Sequence, residues 1–482
     1  MYNNINLLGT SHFFFQEPDL NVPLVKKSEI VDLTNCEPTD EDLKQDSKRV
    51  KKEEEKEIPL IINGIFLNGR LSSGSIDSAS LISKERIFEL DRKETHKIIK
   101  ELQKKSEIGA LFEKFVNEKI HLAKQKSQGI LDKLQPNIEL IFMQALIAHM
   151  TFSLSKSESQ PIVHIGKKFN KLSATFSVCG LSLTLIKIEN LGQGTFKKAT
   201  SQLIFETGEG IAQLKAKLSG PKINQGQAFS NKYTAQREEN FLKLVNGLPH
   251  IIKTYSISYS SSMKNEQISE HQIIFAELFP EKNLSDFLRK VSLSDKQKLS
   301  DKQKFHIFHG LLEGLAALHA KNIVHCDLKL LNYLVKKESD DSDNYYVAIA
   351  DFGLARKANE LSSVISTYWY MAPELWDTEL KEKATAKLDV WSMGCSFWEI
   401  VNYPTKLAWA TKFPPGNPSY QLRKESEAVA MIKNPKTFAE PQDKKTLNGL
   451  IWKMLRTDPA ERYSAQEALE ACREIEFPEV IF

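Results

Sequence analysis

Residues 325–332 read His-Cys-Asp-Leu-Lys-Leu-Leu-Asn, and this stretch constrains the chain more than any other. The apolar pattern from Leu311 to His319 has helical spacing and delivers the chain to it. Two further short clusters follow in order: Asp351-Phe352-Gly353, then Ala372-Pro373-Glu374. A turn rich in polar residues could arise by chance. Three ordered clusters of this kind in one chain are hard to obtain that way.

Composition sets the outer bounds. A chain of 482 residues has room for two or three domains, and 41% hydrophobic residues suffice for a sizeable core. The formal charge is +3 from 65 basic and 62 acidic side chains, so nothing argues for a nucleic-acid partner or a charged membrane surface. The five cysteines are scattered, with no CxxC pair, which suggests free thiols in a reducing compartment. The first residues, MYNNINLLGTSHFFF, lack the basic start and apolar run of a secretory signal. The apolar stretch from Ile138 to Leu154 is interrupted by Glu139, Gln144 and His149, so no membrane span is expected. A cytoplasmic protein is the expectation, with export by a route lacking a cleavable signal left open.

Along the chain, residues 1–57 end in a run of mixed charge and read as linker-like or disordered. Residues 58–175 form a mixed, mainly helical region. Ile98, Ile99, Leu102, Ile108, Leu111, Phe112 and Phe115 fall near a 3.6-residue period, and Pro136 breaks it. No chemical motif marks this region, which could pack on the rest of the chain or on a protein partner. Strand-like runs then appear at Ala174–Val178 and Leu183–Ile188.

Leu191-Gly192-Gln193-Gly194-Thr195-Phe196 follows. Glycines in such a loop let backbone N–H groups approach phosphate oxygens, though GxG alone is weak evidence. Glu206 to Gly210 reads as a turn and Ile211 to Leu218 as a strand. Lys215 and Lys217 on that strand lie two apart and share a face. Gln236-Arg237-Glu238-Glu239 opens a helix pattern in which Glu238, Leu242 and Val245 share a face.

Together these residues resemble the eukaryotic-type Ser/Thr protein kinase family, from about residue 186 to 478. The resemblance implies an α+β, bilobal domain over 176–482, with a β-rich N-lobe and a helical C-lobe. It implies ATP and Mg²⁺ as cofactors and a protein substrate. Asp327 is implied as catalytic base and Lys329 as the residue that neutralises the transferring phosphoryl group; Asn332 and Asp351 are implied as Mg²⁺ ligands. Gly192, Gln193 and Gly194 would lie over the phosphates. Lys215, with Lys217 the alternative, would bridge the α- and β-phosphates and pair with Glu238, or else with Glu239. Backbone groups of Glu277 and Phe279 would bind adenine, with Ala276 the small residue ahead of them. Asp389 would brace the catalytic loop, and Arg462 would pair with Glu374.

The sequence departs from the family pattern at several positions. Lys197 stands where a third glycine is usual and Ala199 where valine is. Gln213 stands two before Lys215, where a small residue is usual. Ser366 stands where glycine is common. Cys326 replaces the arginine that normally pairs with a phosphorylated activation segment. A thiol cannot make a bidentate phosphate contact, so activity without activation-segment phosphorylation is expected. The competing reading is a pseudokinase acting as a scaffold or nucleotide-binding switch.

Overall fold

The computed structural model describes residues 106–134, parts of 138–146, 172–178 and 181–193. It also describes 197–475, apart from 265–266, 294–297, 340–341, 361–367, 377–384 and most of 408–437. The linker-like stretch 1–57, the glycine at 194 and the activation-segment serines therefore lie outside the described residues.

Helix α1 (Ser106–Leu131) comes first, then six antiparallel strands. These are β1 (Leu172–Val178), β2 (Leu181–Gln193), β3 (Lys197–Ile204), β4 (Gly210–Ser219), β5 (Thr254–Lys264) and β6 (Gln267–Glu277). Their order in the sheet is β1-β2-β3-β4-β6-β5. Helix α2 (Gln225–Val245) crosses between β4 and β5. Its start is fixed by Asn224, whose side chain accepts the Gln227 N–H at 2.8 Å. Its buried residues Asn231, Ala235, Glu238, Phe241, Leu242 and Val245 form one stripe at helical spacing.

Side chains alternate across a strand, so each strand of this sheet has an inner and an outer row. On β4 the inner row is Ala212, Leu214, Ala216 and Leu218. Ala216 and Leu218 pack on Ala235 of α2, and Leu214 packs on the main core. The outer row is Ile211, Gln213, Lys215 and Lys217. Ile211 packs with Leu185, Ile204, Ile273 and Phe275. This division decides which lysine reaches α2.

The helical half follows residues Glu277–Phe279. It comprises α3 (Leu284–Leu293), α4 (Asp301–Ala320), α5 (Ala386–Asn402), α6 (Leu447–Met454) and α7 (Ala465–Arg473). Helix α4 begins with a capping box in which Ser300 and Gln303 satisfy each other's backbone N–H groups. Its residues Ile307, Phe308, Leu311, Leu312, Leu315 and Leu318 are all fully buried. Short strands β7 (Ile323–Val324), β8 (Tyr333–Lys337), β9 (Tyr345–Ile349) and β10 (Arg356–Lys357) pair as β7–β10 and β8–β9. They hold the two polar loops between them.

Helix α1 packs on the sheet. Lys119 Nζ donates to the Glu206 carbonyl at 2.7 Å, and Lys133 pairs with Glu189 at 2.6 Å. Phe115 and Phe142 meet Phe205 with ring centroids 6.2 and 5.7 Å apart. A boundary at 175/176 therefore cuts through contacts. Gly208 has φ +71°, and a Cβ there would meet the Ala123 backbone at 2.8 Å. Gly208→Val is expected to destabilise the protein by about 1–3 kcal/mol, from backbone strain and overpacking. The midpoint of urea unfolding measures this; an unchanged midpoint would mean that α1 does not hold this turn in solution.

Candidate active site

The catalytic-loop stretch lies between β7 and β8. Asp389, fully buried at the start of α5, accepts the backbone N–H of His325 at 2.7 Å and of Cys326 at 2.9 Å. It also meets His319 Nε2 at 3.0 Å. This carboxylate fixes a turn in which Cys326 takes φ 65°, a left-handed conformation that side chains rarely adopt. Cys326 is buried against Val324, Leu354 and Ala358. Burial pushes its thiol pKa well up, so it stays protonated and neutral.

His325 ties this loop to the next. Its Nδ1 accepts the Asp327 N–H at 3.3 Å, which leaves Nε2 to donate to the Ala350 carbonyl at 3.0 Å. The ring meets Phe352 edge-on at 5.0 Å, and Phe352 is fully buried. The Ala350 N–H in turn donates to the Asn332 carbonyl at 2.9 Å. Asp327 and Asp351 are thus held on two loops that share hydrogen bonds.

Around Asp327 the geometry is tight. Lys329 Nζ lies 2.7 Å from Asp327 Oδ2. Asn332 Nδ2 donates to the Asp327 carbonyl at 2.7 Å and to Oδ2 at 3.2 Å. With its amide nitrogen committed, Asn332 presents Oδ1 as an acceptor. Asp351 takes φ 67° and contributes a second oxygen donor. Two hard oxygen donors on loops that share hydrogen bonds would suit Mg²⁺, which is usually held by few protein ligands together with substrate phosphates.

The lysine on this site is Lys197. Its ammonium donates to Glu238 Oε1 and lies 3.0 Å from Asp351 Oδ1. Burial alone would lower its pKa, but the Glu238 and Asp351 carboxylates outweigh that and hold it raised. Lys197 is charged at any physiological pH. Asp351 is held below the usual carboxylate range, chiefly by Lys197. Arg237, beside Glu238 on α2, donates through Nε to the Gly353 carbonyl at 3.0 Å. The lysine, α2 and the Asp-Phe-Gly loop are therefore one connected group.

This corrects the assignment of Lys215 or Lys217 as the partner of Glu238. Strand register gives the reason. Lys197 stands directly opposite Ala216, and Ala199 opposite Leu214, all in the inner row. Lys198 stands opposite Lys215, in the outer row. Both strand lysines point away from Glu238. The signal was in the sequence: the small residue Ala212 lies two before Leu214, not two before Lys215. Leu214 thus occupies the place where the family's strand lysine belongs, and Lys197 supplies an ammonium from the neighbouring strand. Glu239, the alternative carboxylate, pairs with Lys243 at 2.7 Å and with the Tyr259 hydroxyl at 2.5 Å.

Ala276, Glu277 and Phe279 lie at and just past the end of β6, where the sheet passes into the helical half. Ala276 and Phe279 are buried, and Glu277 Oε1 pairs with Lys336 at 2.5 Å. The Glu277 N–H donates to the Lys253 carbonyl at 2.9 Å. Gly192 and Gln193 end β2, with open space where a Gly192 side chain would be. Arg462, fully buried, makes two bonds to Glu374, at 2.7 and 2.9 Å.

The family described as the protein kinase domain matches residues 185–472. Mitogen-activated protein kinase 5 of Arabidopsis thaliana is 29% identical over 331 residues, covering 64% of this chain and 81% of that protein. Mitogen-activated protein kinase 4a of Physcomitrium patens is 29% identical over 301 residues, covering 58% and 74%. The liver/testis phosphorylase b kinase gamma catalytic chain of Mus musculus is 28% identical over 274 residues, covering 55% of this chain and 60% of that one. A β-sheet lobe joined to a helical lobe, the shared loops carrying Asp327 and Asp351, and a family match over more than half of the sequence lead to one conclusion: the chain belongs to the protein kinase family and is a protein serine/threonine kinase.

Proposed function

We propose that the protein transfers the γ-phosphate of ATP to serine and threonine hydroxyls of protein substrates, with Mg²⁺, and with Lys197 as its phosphate-binding lysine. The observation that carries this reading is the contact of Lys197 with both Glu238 and Asp351. Phosphoryl transfer demands positioning and charge stabilisation more than covalent chemistry. Asp327, on a rigid loop, is the group that accepts the substrate hydroxyl proton. Lys329 and Lys197 place two ammonium groups toward the phosphates, one from each lobe. Asn332 and Asp351 would hold Mg²⁺, which neutralises the phosphate charge when bound. Gly192, Gln193 and Gly194 would cover the phosphates, and backbone groups of Glu277 and Phe279 would receive the adenine.

Cys326 supports a further point. The catalytic loop offers a buried neutral thiol where an arginine would reach for a phosphorylated segment. The activation segment then needs no phosphate to be held. Ser362, Ser363 and Ser366 substituted together by Ala are expected to leave kcat within about threefold, since the thiol of Cys326 offers a phosphate there no bidentate contact to lose. A loss of a hundredfold in a folded triple variant would contradict this.

The test of the function is transfer of labelled γ-phosphate to a generic basic protein, with and without Mg²⁺, followed by identification of the phosphorylated residue. Phosphoserine and phosphothreonine appearing only with Mg²⁺ is the expected result. Nucleotide binding without transfer would favour the pseudokinase reading, to which Leu214 and Cys326 lend some weight.

A further inference from the structure

The outer row of the sheet carries an unusual concentration of positive charge. Lys198 on β3 stands directly opposite Lys215 on β4, and Lys217 directly opposite His271 on β6. Lys187 on β2 shares the outer row opposite Gln202 of β3, and burial, then the charge of Lys198, lower its pKa. Burial also lowers that of Lys215. Among the described residues none of these four lysines has an acidic partner. The acids of the adjoining strands are committed elsewhere: Glu189 to Lys133 at 2.6 Å, and Glu270 to Lys232 at 2.6 Å and the Ser219 hydroxyl at 2.5 Å. Like charges set opposite one another across strands cost stability.

A second observation lies in the same place. His271 Nδ1 is buried and has no hydrogen-bond partner. Burial, then Lys215 and Lys217, push the His271 pKa down to about 4. Beside it on the edge strand, Ser260 stands directly opposite His271 and Ser258 opposite Ile273, in the same outer row.

We infer that this face is a binding site for a small soluble polyphosphate anion, held by Lys187, Lys198, Lys215, Lys217 and His271 on the side of the sheet opposite the active site. Charge complementarity argues for an anion. The absence of arginine from the group argues for phosphates met by compact point charges, and against planar carboxylates met bidentately. Adjacent strands lie about 4.8 Å apart and alternate residues about 6.8 Å apart along a strand, a spacing that suits several phosphates on one small molecule. Lys187, Lys215 and Lys217 are half-buried, so a small ligand can settle among them where a flat bilayer cannot. Lys198 directly follows Lys197 on β3, which places this site back to back with the phosphate-binding lysine.

The test uses the full chain saturated with Mg²⁺ and a non-hydrolysable ATP analogue, so that the nucleotide site is filled. Inositol hexakisphosphate is the probe, titrated by calorimetry at low and high salt. One binding site is expected, weakened at least tenfold in Lys215→Gln/Lys217→Gln and weakened by salt. The His271 pKa, followed by NMR, is expected to rise by more than one unit on binding. Unchanged thermal unfolding of the variant would show that the fold is intact. Absence of binding would overturn the proposal, as would binding unchanged in the double variant or without a shift at His271. Binding of a phosphoserine peptide or of anionic vesicles in place of the small anion would also overturn it.

Discussion

Asp327→Asn is expected to lower kcat by about 10²–10⁴-fold while leaving ATP affinity nearly unchanged, the range general acid–base groups supply. The reason is local. Asp327 is buried, and its Oδ2 is met by both Lys329 and Asn332. Its backbone is held by His325, and the loop beneath it by Asp389. An amide fits this frame without moving it, so shape is kept and proton acceptance is lost. Pre-steady-state transfer rates with and without the substitution measure the effect. A loss under tenfold would mean that Asp327 only positions the hydroxyl, and that the proton leaves by another route.

The second large effect concerns stability. Arg462 is fully buried and donates through both terminal nitrogens to Glu374. Its Nε donates to the Arg456 carbonyl at 2.9 Å, and its guanidinium lies 5.1 Å from the Trp391 ring centroid. Removing one partner of such a pair strands the other's charge, which typically costs about 3–5 kcal/mol. Arg462→Ala is expected to unfold at a correspondingly lower urea concentration, with C-lobe amide exchange accelerated. Replacing both partners by apolar residues should cost less than the single change, since no lone charge remains. A shift below about 1 kcal/mol for Arg462→Ala would show the pair to be solvated, since exposed ion pairs contribute no more than that.

Much of this site was legible in the sequence because its chemistry is local. Asp327, Lys329 and Asn332 lie within one turn and its short flank, so their contacts follow from adjacency. The helix carrying Glu238 was legible from its apolar stripe. The lysine was not, because its contacts span 41 residues to Glu238 and 154 to Asp351. They depend on which face of a strand each residue takes, and a shift of one position reverses that face. Lys215 and Lys217 share a strand face by spacing alone; the burial of Ala212, Ala216 and Leu218 on the other face of that strand, the one toward Glu238, sets both lysines away from it. Helix α1 was legible as a helix but not in its seat, since no periodicity reveals that Gly208 makes room for Ala123.

The measurement that bears most directly on this account compares three proteins: wild type, Lys197→Met and Lys215→Met. Each is assayed for labelled γ-phosphate transfer at saturating MgATP. Lys197→Met is expected to lose about 10²–10³-fold in kcat, as when one preorganised charge-stabilising group is removed. Lys215→Met is expected to stay within about threefold of wild type, as changes outside the active machinery usually do. The reverse pattern, a collapse with Lys215→Met and retained activity with Lys197→Met, would contradict the assignment and with it the register of the sheet.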